Sequence, residues 1–168
     1  MKKETLIFIG IICIILQFIT SAFFTAWQIR PDFILIFLVI VSLHNKIFRS
    51  FLLGLFLGII SNLIYTSDKL IIFNYSLLGF LFGYYKTIIP KEDFSKYIIF
   101  VFFGSVISNL IYGIINLINR QIIFSYLIGY TFSQAFLTAC FSVFLVSFAY
   151  YIEDKFKKKR LHEHIRKL

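Results

Sequence analysis

Six apolar runs, at 6–27, 33–43, 47–65, 70–85, 97–118 and 122–152, fill most of the chain and leave only brief polar joints between them. Such runs constrain the fold more tightly than any motif. Lipid offers no hydrogen-bond partner, so the backbone must satisfy itself within helices or a closed barrel. The runs are continuous rather than alternating and lack strand-like turn spacing, which favours helices. Hydrophobic residues make up 60% of the 168, including 23 Phe, and the mean hydropathy is +0.88. Too little polar residue remains to cover a water-facing globule. The fold class implied is an all-α integral membrane protein, one compact bundle of six transmembrane helices.

Charge orients the bundle. With the N-terminus inside, fourteen of the seventeen Lys and Arg fall on one side, and only Arg30, Lys69 and Arg120 on the other. Short basic loops resist translocation, so both termini are expected on the cytoplasmic side of the membrane. The net charge of +9 gathers at helix ends on one face, which suits anionic lipid headgroups rather than nucleic acid. Lys2-Lys3 before an apolar run resembles a secretory signal, yet the run continues to Trp27 and further spans follow, so an uncleaved first helix is expected. Cys13 and Cys140 fall within spans, without disulfide or metal spacing.

Two runs need adjusting to the length of a bilayer-crossing helix, about 20 residues. Starting the second at Pro31 puts proline at the first helical position and Asp32 in the first turn, where the helix dipole favours a carboxylate. That span then reaches Phe48, with Lys46 snorkelling to the headgroups. The last run is too long and is split at Gly129, with 121–128 on the outer surface and 130–152 crossing. The spans expected are therefore 6–27, 31–48, 47–65, 70–85, 97–118 and 130–152, with a basic tail at 155–168. In the tail Leu161, Ile165 and Leu168 form one apolar stripe, while Lys157, Lys158, Lys159 and Arg160 supply charge. This reads as an amphipathic helix on the membrane surface, or as a solvated topology-setting cluster.

Small and polar residues mark the interior. Gly54-x-x-x-Gly58 and Gly79-x-x-x-Gly83 each put two glycines on one helix face, for packing within the bundle or against a partner protein. Polar stripes run through Gln17, Ser21, Thr25 and Gln28; through Ser105, Ser108, Asn109, Tyr112, Asn116 and Asn119; and through Tyr130, Gln134, Thr138 and Ser142. An amide exposed to hydrocarbon costs several kcal/mol, so the stripes should face one another or a wet pocket, as structural glue or as a ligand site. The sequence Ile-Ser-Asn-Leu-Ile-Tyr occurs at 60–65 and again at 107–112, which suggests a parallel duplication. Asn62 and Asn109 are expected to point inward and be hydrogen-bonded, beside Tyr65 and Tyr112. No paired-carboxylate site, activated nucleophile or phosphate-cradling loop is visible, so neither enzyme nor cofactor chemistry is expected.

The stretch 30–86 resembles the rod shape-determining protein MreD family. It has Arg30-Pro31-Asp32 before a short apolar span, the turn at His44-Asn45-Lys46, Gly54-x-x-x-Gly58 followed by a polar residue, Tyr65-Thr66-Ser67, and Gly79-x-x-x-Gly83. Six spans, inside termini and a basic tail extend the likeness over the whole chain. Where family members commonly have aspartate, this chain has Asn62, which keeps hydrogen bonding without charge. The resemblance implies a non-enzymatic subunit of the bacterial elongation machinery. Such a subunit binds MreC directly, shares a complex with MreB, RodA and a class B penicillin-binding protein, and couples the cytoskeleton to lateral peptidoglycan synthesis. The family also resembles the substrate-binding (S) subunits of energy-coupling-factor transporters, which makes a small-molecule-binding transporter subunit the alternative.

Overall fold

The computed structural model describes residues 3–23, 29–65, 70–86, 94–118 and 124–165. They form six helices with no strand among them: α1 (Lys3–Phe23), α2 (Phe33–Ser42), α3 (Ile47–Tyr65), α4 (Leu70–Tyr85), α5 (Phe94–Ile118) and α6 (Phe124–Ile165). Stretches of α1, α3, α5 and α6 are long and apolar enough to cross a membrane, at Thr5–Phe23, Ile47–Ile64, Ser95–Ile115 and Tyr126–Ile152. The helices α2 and α4 are apolar but shorter.

The shortest helix lies at the centre. Every residue of α2 is buried, and it touches each of the other five helices. A helix apolar on all faces has no side to offer water, so it belongs inside a bundle. Large apolar residues on the surrounding helices, such as Phe18, Leu63, Phe73, Phe136 and Phe144, are exposed on the outside. An apolar exterior around an apolar centre is the arrangement that lipid as solvent permits.

The closest pairing joins α3 and α4, and the four motif glycines produce it. A Cβ on Gly54 would strike the backbone oxygen of Tyr75, and one on Gly79 that of Ser50. At Gly58 it would lie 2.8 Å from the Ile72 Cα, and at Gly83 2.8 Å from the Ile47 Cα. The partner numbers fall along one helix as they rise along the other, so the pair is an antiparallel hairpin. These glycines serve packing within the chain, since their faces are filled by each other's helix.

Three expectations need correction. The second helix starts at Phe33 rather than Pro31, because Asp32 has non-helical angles (φ −102°, ψ 87°) and its carboxylate accepts from Leu35 N. Asp32 is thus an N-cap and not a first-turn residue. The helix does not reach Phe48 but ends at Ser42, where a turn at 43–46 reverses the chain before α3. Nor does the last helix break at Gly129: α6 is continuous over 42 residues. Leu127 is buried against Gly113, where any Cβ would meet its side chain. That contact holds the start of α6 along α5 instead of on the outer surface. The same helix carries on into the tail as far as Ile165; the side chains of Lys157, Lys158, Lys159 and Arg160 lie outside the described part.

Glycine substitutions discriminate these roles. Gly58→Leu should destabilise the fold by more than the ~1–3 kcal/mol typical of overpacking, because the obstacle is backbone. Gly129 has nothing within 4 Å of a new Cβ, so Gly129→Ala should stabilise by up to about 1 kcal/mol through helix propensity. Thermal unfolding in detergent measures both. A lower midpoint for Gly129→Ala would argue for a helix break there.

Candidate functional site

The first four N–H groups of a helix have no intrahelical partner, and those of α2 are buried where neither water nor lipid can serve them. Each is met by a side chain. Asp32 N donates to Thr138 Oγ1 of α6 at 3.2 Å. Phe33 N and Ile34 N donate to Gln17 Oε1 of α1 at 2.6 and 3.3 Å, while Gln17 Nε2 donates to the Pro31 carbonyl at 3.4 Å. Leu35 N donates to Asp32 Oδ1 at 2.9 Å. The other carboxylate oxygen accepts the Tyr75 hydroxyl of α4 at 2.6 Å. Thr138 in turn donates to the Gln134 carbonyl at 2.8 Å. Residues from α1, α4 and α6 thus converge on one helix end.

The opposite end is treated alike. Leu43 N donates to the Val39 carbonyl, and Asn45 Nδ2 donates to that of Val41 at 2.9 Å. His44 Nδ1 lies 2.8 Å from the Ile40 carbonyl, which can only accept, so that nitrogen carries the proton. Ser50 Oγ donates to the Ser42 carbonyl at 3.3 Å. Lys86 Nζ adds a cation, donating to the His44 carbonyl at 2.9 Å, the sign the helix dipole favours there. The His44 ring stacks on Tyr97 of α5 with centroids 6.2 Å apart.

Beside the N-terminal cap lies a cavity of about 150 Å³. Arg30 and Asp32 line it, with Ser61 from α3, Ile71, Asn74 and Tyr75 from α4, Ser108, Asn109 and Tyr112 from α5, and Tyr130 and Gln134 from α6. Asn74 Nδ2 donates to Ser108 Oγ at 2.8 Å and to the Ser108 carbonyl at 3.1 Å. Asn109 Nδ2 reaches Ser105 Oγ at 3.4 Å within α5. The buried oxygens Ser61 Oγ, Asn74 Oδ1 and Gln134 Oε1 have no hydrogen-bond partner among the described residues.

Two of the stripes seen in the sequence, on α5 and α6, therefore meet across this cavity, bringing Asn109, Tyr112, Tyr130 and Gln134 together with Asp32. Gln17 serves differently, as a cap for α2. Both copies of the six-residue repeat bring their serine, Ser61 and Ser108, to the lining. Asn62 has a buried Oδ1, as an inward side chain should, but departs from expectation in its hydrogen bonding. It is half-buried, and its Oδ1 has no hydrogen-bond partner among the described residues. Thr25, Gln28 and Asn119, with the side chains of Tyr65 and Asn116, lie outside the described part. Sequence reading missed the polar residues that α4 brings to this cavity. The signal was Asn74-Tyr75-Ser76, three successive polar residues in an apolar run, all buried. The arrangement offers hydrogen bonding with one carboxylate and one guanidinium.

No family model, curated protein or solved structure matches the chain.

Removing a cap should expose its worth. Gln17→Leu leaves Phe33 N and Ile34 N unserved in an apolar interior, at about 1–3 kcal/mol for each unsatisfied group. Tyr75→Phe removes a donor to a carboxylate, a bond worth about 1.5–3 kcal/mol. Both variants should unfold earlier in detergent than wild type, with Gln17→Leu the more affected; an unaltered midpoint for Gln17→Leu would contradict the capping role.

Proposed function

We propose that the chain is a non-enzymatic, MreD-like membrane subunit of the bacterial cell-elongation complex. It crosses the membrane six times with both termini in the cytoplasm, binds MreC, and helps couple MreB to peptidoglycan synthesis by RodA and a class B penicillin-binding protein. A ten-residue α2 is only about 15 Å long, half the hydrocarbon thickness. Its enclosure by five helices supports counting it as a span, since non-helical backbone at membrane depth is tolerated where protein surrounds it. The fourteen-to-three division of Lys and Arg supports the orientation.

The observation that carries the scaffold reading is the contrast between two recesses. A transporter subunit that binds a vitamin needs a polar-rimmed pocket of about 300 Å³ or more, and the polar cavity has about 150 Å³. The larger recess, about 330 Å³, is a groove between α1 and α3 lined only by Ile14, Ile15, Phe18, Ile19, Ile60, Leu63 and Ile64. An apolar groove on a lipid-facing surface suits the single span of a bitopic protein such as MreC.

Two measurements test this reading. In a background without Cys13 and Cys140, a cysteine at position 67 should label from outside intact cells, and one at 158 only after permeabilisation. The reverse pattern would overturn the topology. Wild-type protein from native membranes should bring down MreC, and filling the groove with Ile15→Trp and Leu63→Trp should cut recovery about tenfold, the effect of losing an interface hot spot. Both residues are exposed, so the fold should survive. A co-purified vitamin without MreC would favour the transporter alternative.

A further inference from the structure

The cavity beside Asp32 is bordered by buried oxygens without a hydrogen-bond partner among the described residues. Asn74 donates through Nδ2 to the Ser108 carbonyl, which can only accept, so the orientation of its amide is settled and Oδ1 is the atom left over. Ser61 and Asn74 are 1% and 4% exposed, and each carries an oxygen without a hydrogen-bond partner among the described residues. Gln134 adds a third such oxygen. A buried acceptor left unmade costs free energy, and three around one cavity mark a place for a group rich in donors. Charge narrows the choice. The lining already holds one carboxylate, Asp32, and one guanidinium, Arg30, so a ligand carrying both signs keeps the site neutral.

We propose that this cavity binds a zwitterionic group in which a primary ammonium stands beside an anion, as in phosphoethanolamine. An ammonium brings three N–H donors, one for each of Ser61 Oγ, Asn74 Oδ1 and Gln134 Oε1, and its charge faces the Asp32 carboxylate. The guanidinium of Arg30 has five donors in a fork that suits a phosphate, so it can serve Asp32 and a ligand anion together. A quaternary ammonium has no N–H and cannot satisfy the three oxygens. The site therefore discriminates ethanolamine from choline headgroups. The same chemistry has two sources, a lipid headgroup or a soluble molecule. It goes beyond the scaffold reading and does not depend on it.

The test uses the full chain, delipidated in detergent and titrated separately with short-chain phosphatidylethanolamine, short-chain phosphatidylcholine and free O-phosphoethanolamine. Adducts are counted by native mass spectrometry and the unfolding midpoint is followed. The ethanolamine lipid should bind about tenfold or more tightly than the choline lipid, the effect of forfeiting one charge-assisted hydrogen bond. Binding of the lipid alone assigns a membrane source, and binding of free phosphoethanolamine as well assigns a soluble one. Ser61→Ala should reduce the preference while leaving the ligand-free midpoint unchanged or raised, since it deletes an unpaired buried hydroxyl; a purely structural serine would lower that midpoint. Equal binding of both lipids, no binding of any, or an unchanged preference in Ser61→Ala and Gln134→Leu overturns the proposal. None of these arms involves MreC, so their failure is distinct from failure of the elongation-complex reading.

Discussion

A ten-residue helix without an exposed face governs the arrangement of everything around it. Because α2 is buried along its whole length, its unpaired N–H and C=O groups cannot be left to solvent. In hydrocarbon each would cost several kcal/mol. The surrounding helices therefore carry the missing partners: Gln17 from α1, Thr138 from α6, Ser50 from α3, and Lys86 just after α4. Each of these bonds fixes a register between α2 and a neighbour as well as satisfying a polar group. The bundle is organised from its centre outward, by polar contacts at the two ends of an apolar rod.

A second constraint acts between α3 and α4, where no polar bond is needed. Four glycines let the two backbones touch, with Gly79 backbone lying against that of Gly54. Dispersion at such close approach holds the pair together, a contribution that would stand in for the hydrophobic driving force wherever lipid is the solvent. The hairpin also sets the height of Tyr75 and Asn74 on α4. Through Tyr75 the glycine contact reaches the Asp32 cap, and through Asn74 it reaches Ser108 of α5. Close packing and capping are thus parts of one network, and the polar cavity is the space that network encloses.

That cavity shows how one helix end generates a site. The N-cap carboxylate, the hydroxyl that steadies it and the stripes of α5 and α6 are drawn to the same place because α2 ends there. Once assembled, they leave oxygens without a hydrogen-bond partner among the described residues.

The sequence alone determined that the chain is helical and apolar, because continuous apolar runs allow no other way of satisfying the backbone in lipid. It also located the glycines at a close contact and the stripes Asn109, Tyr112 and Gln134 at an interior, since small and polar residues in such runs stand out against Ile and Leu. It could not decide where a helix ends when both sides of the boundary are apolar. Local pattern put Asp32 inside the helix and a break at Gly129. The cap geometry and the fit of Leu127 against Gly113 decided otherwise. Nor could it tell whether Gly54 and Gly79 face each other or another protein, because small-residue spacing names a contact but not its partner. Tertiary structure alone showed that Gln17 serves a helix sixteen residues away and that Tyr75 meets Asp32 across the bundle. Those pairings depend on distances in space between helices, which no periodicity along one helix encodes.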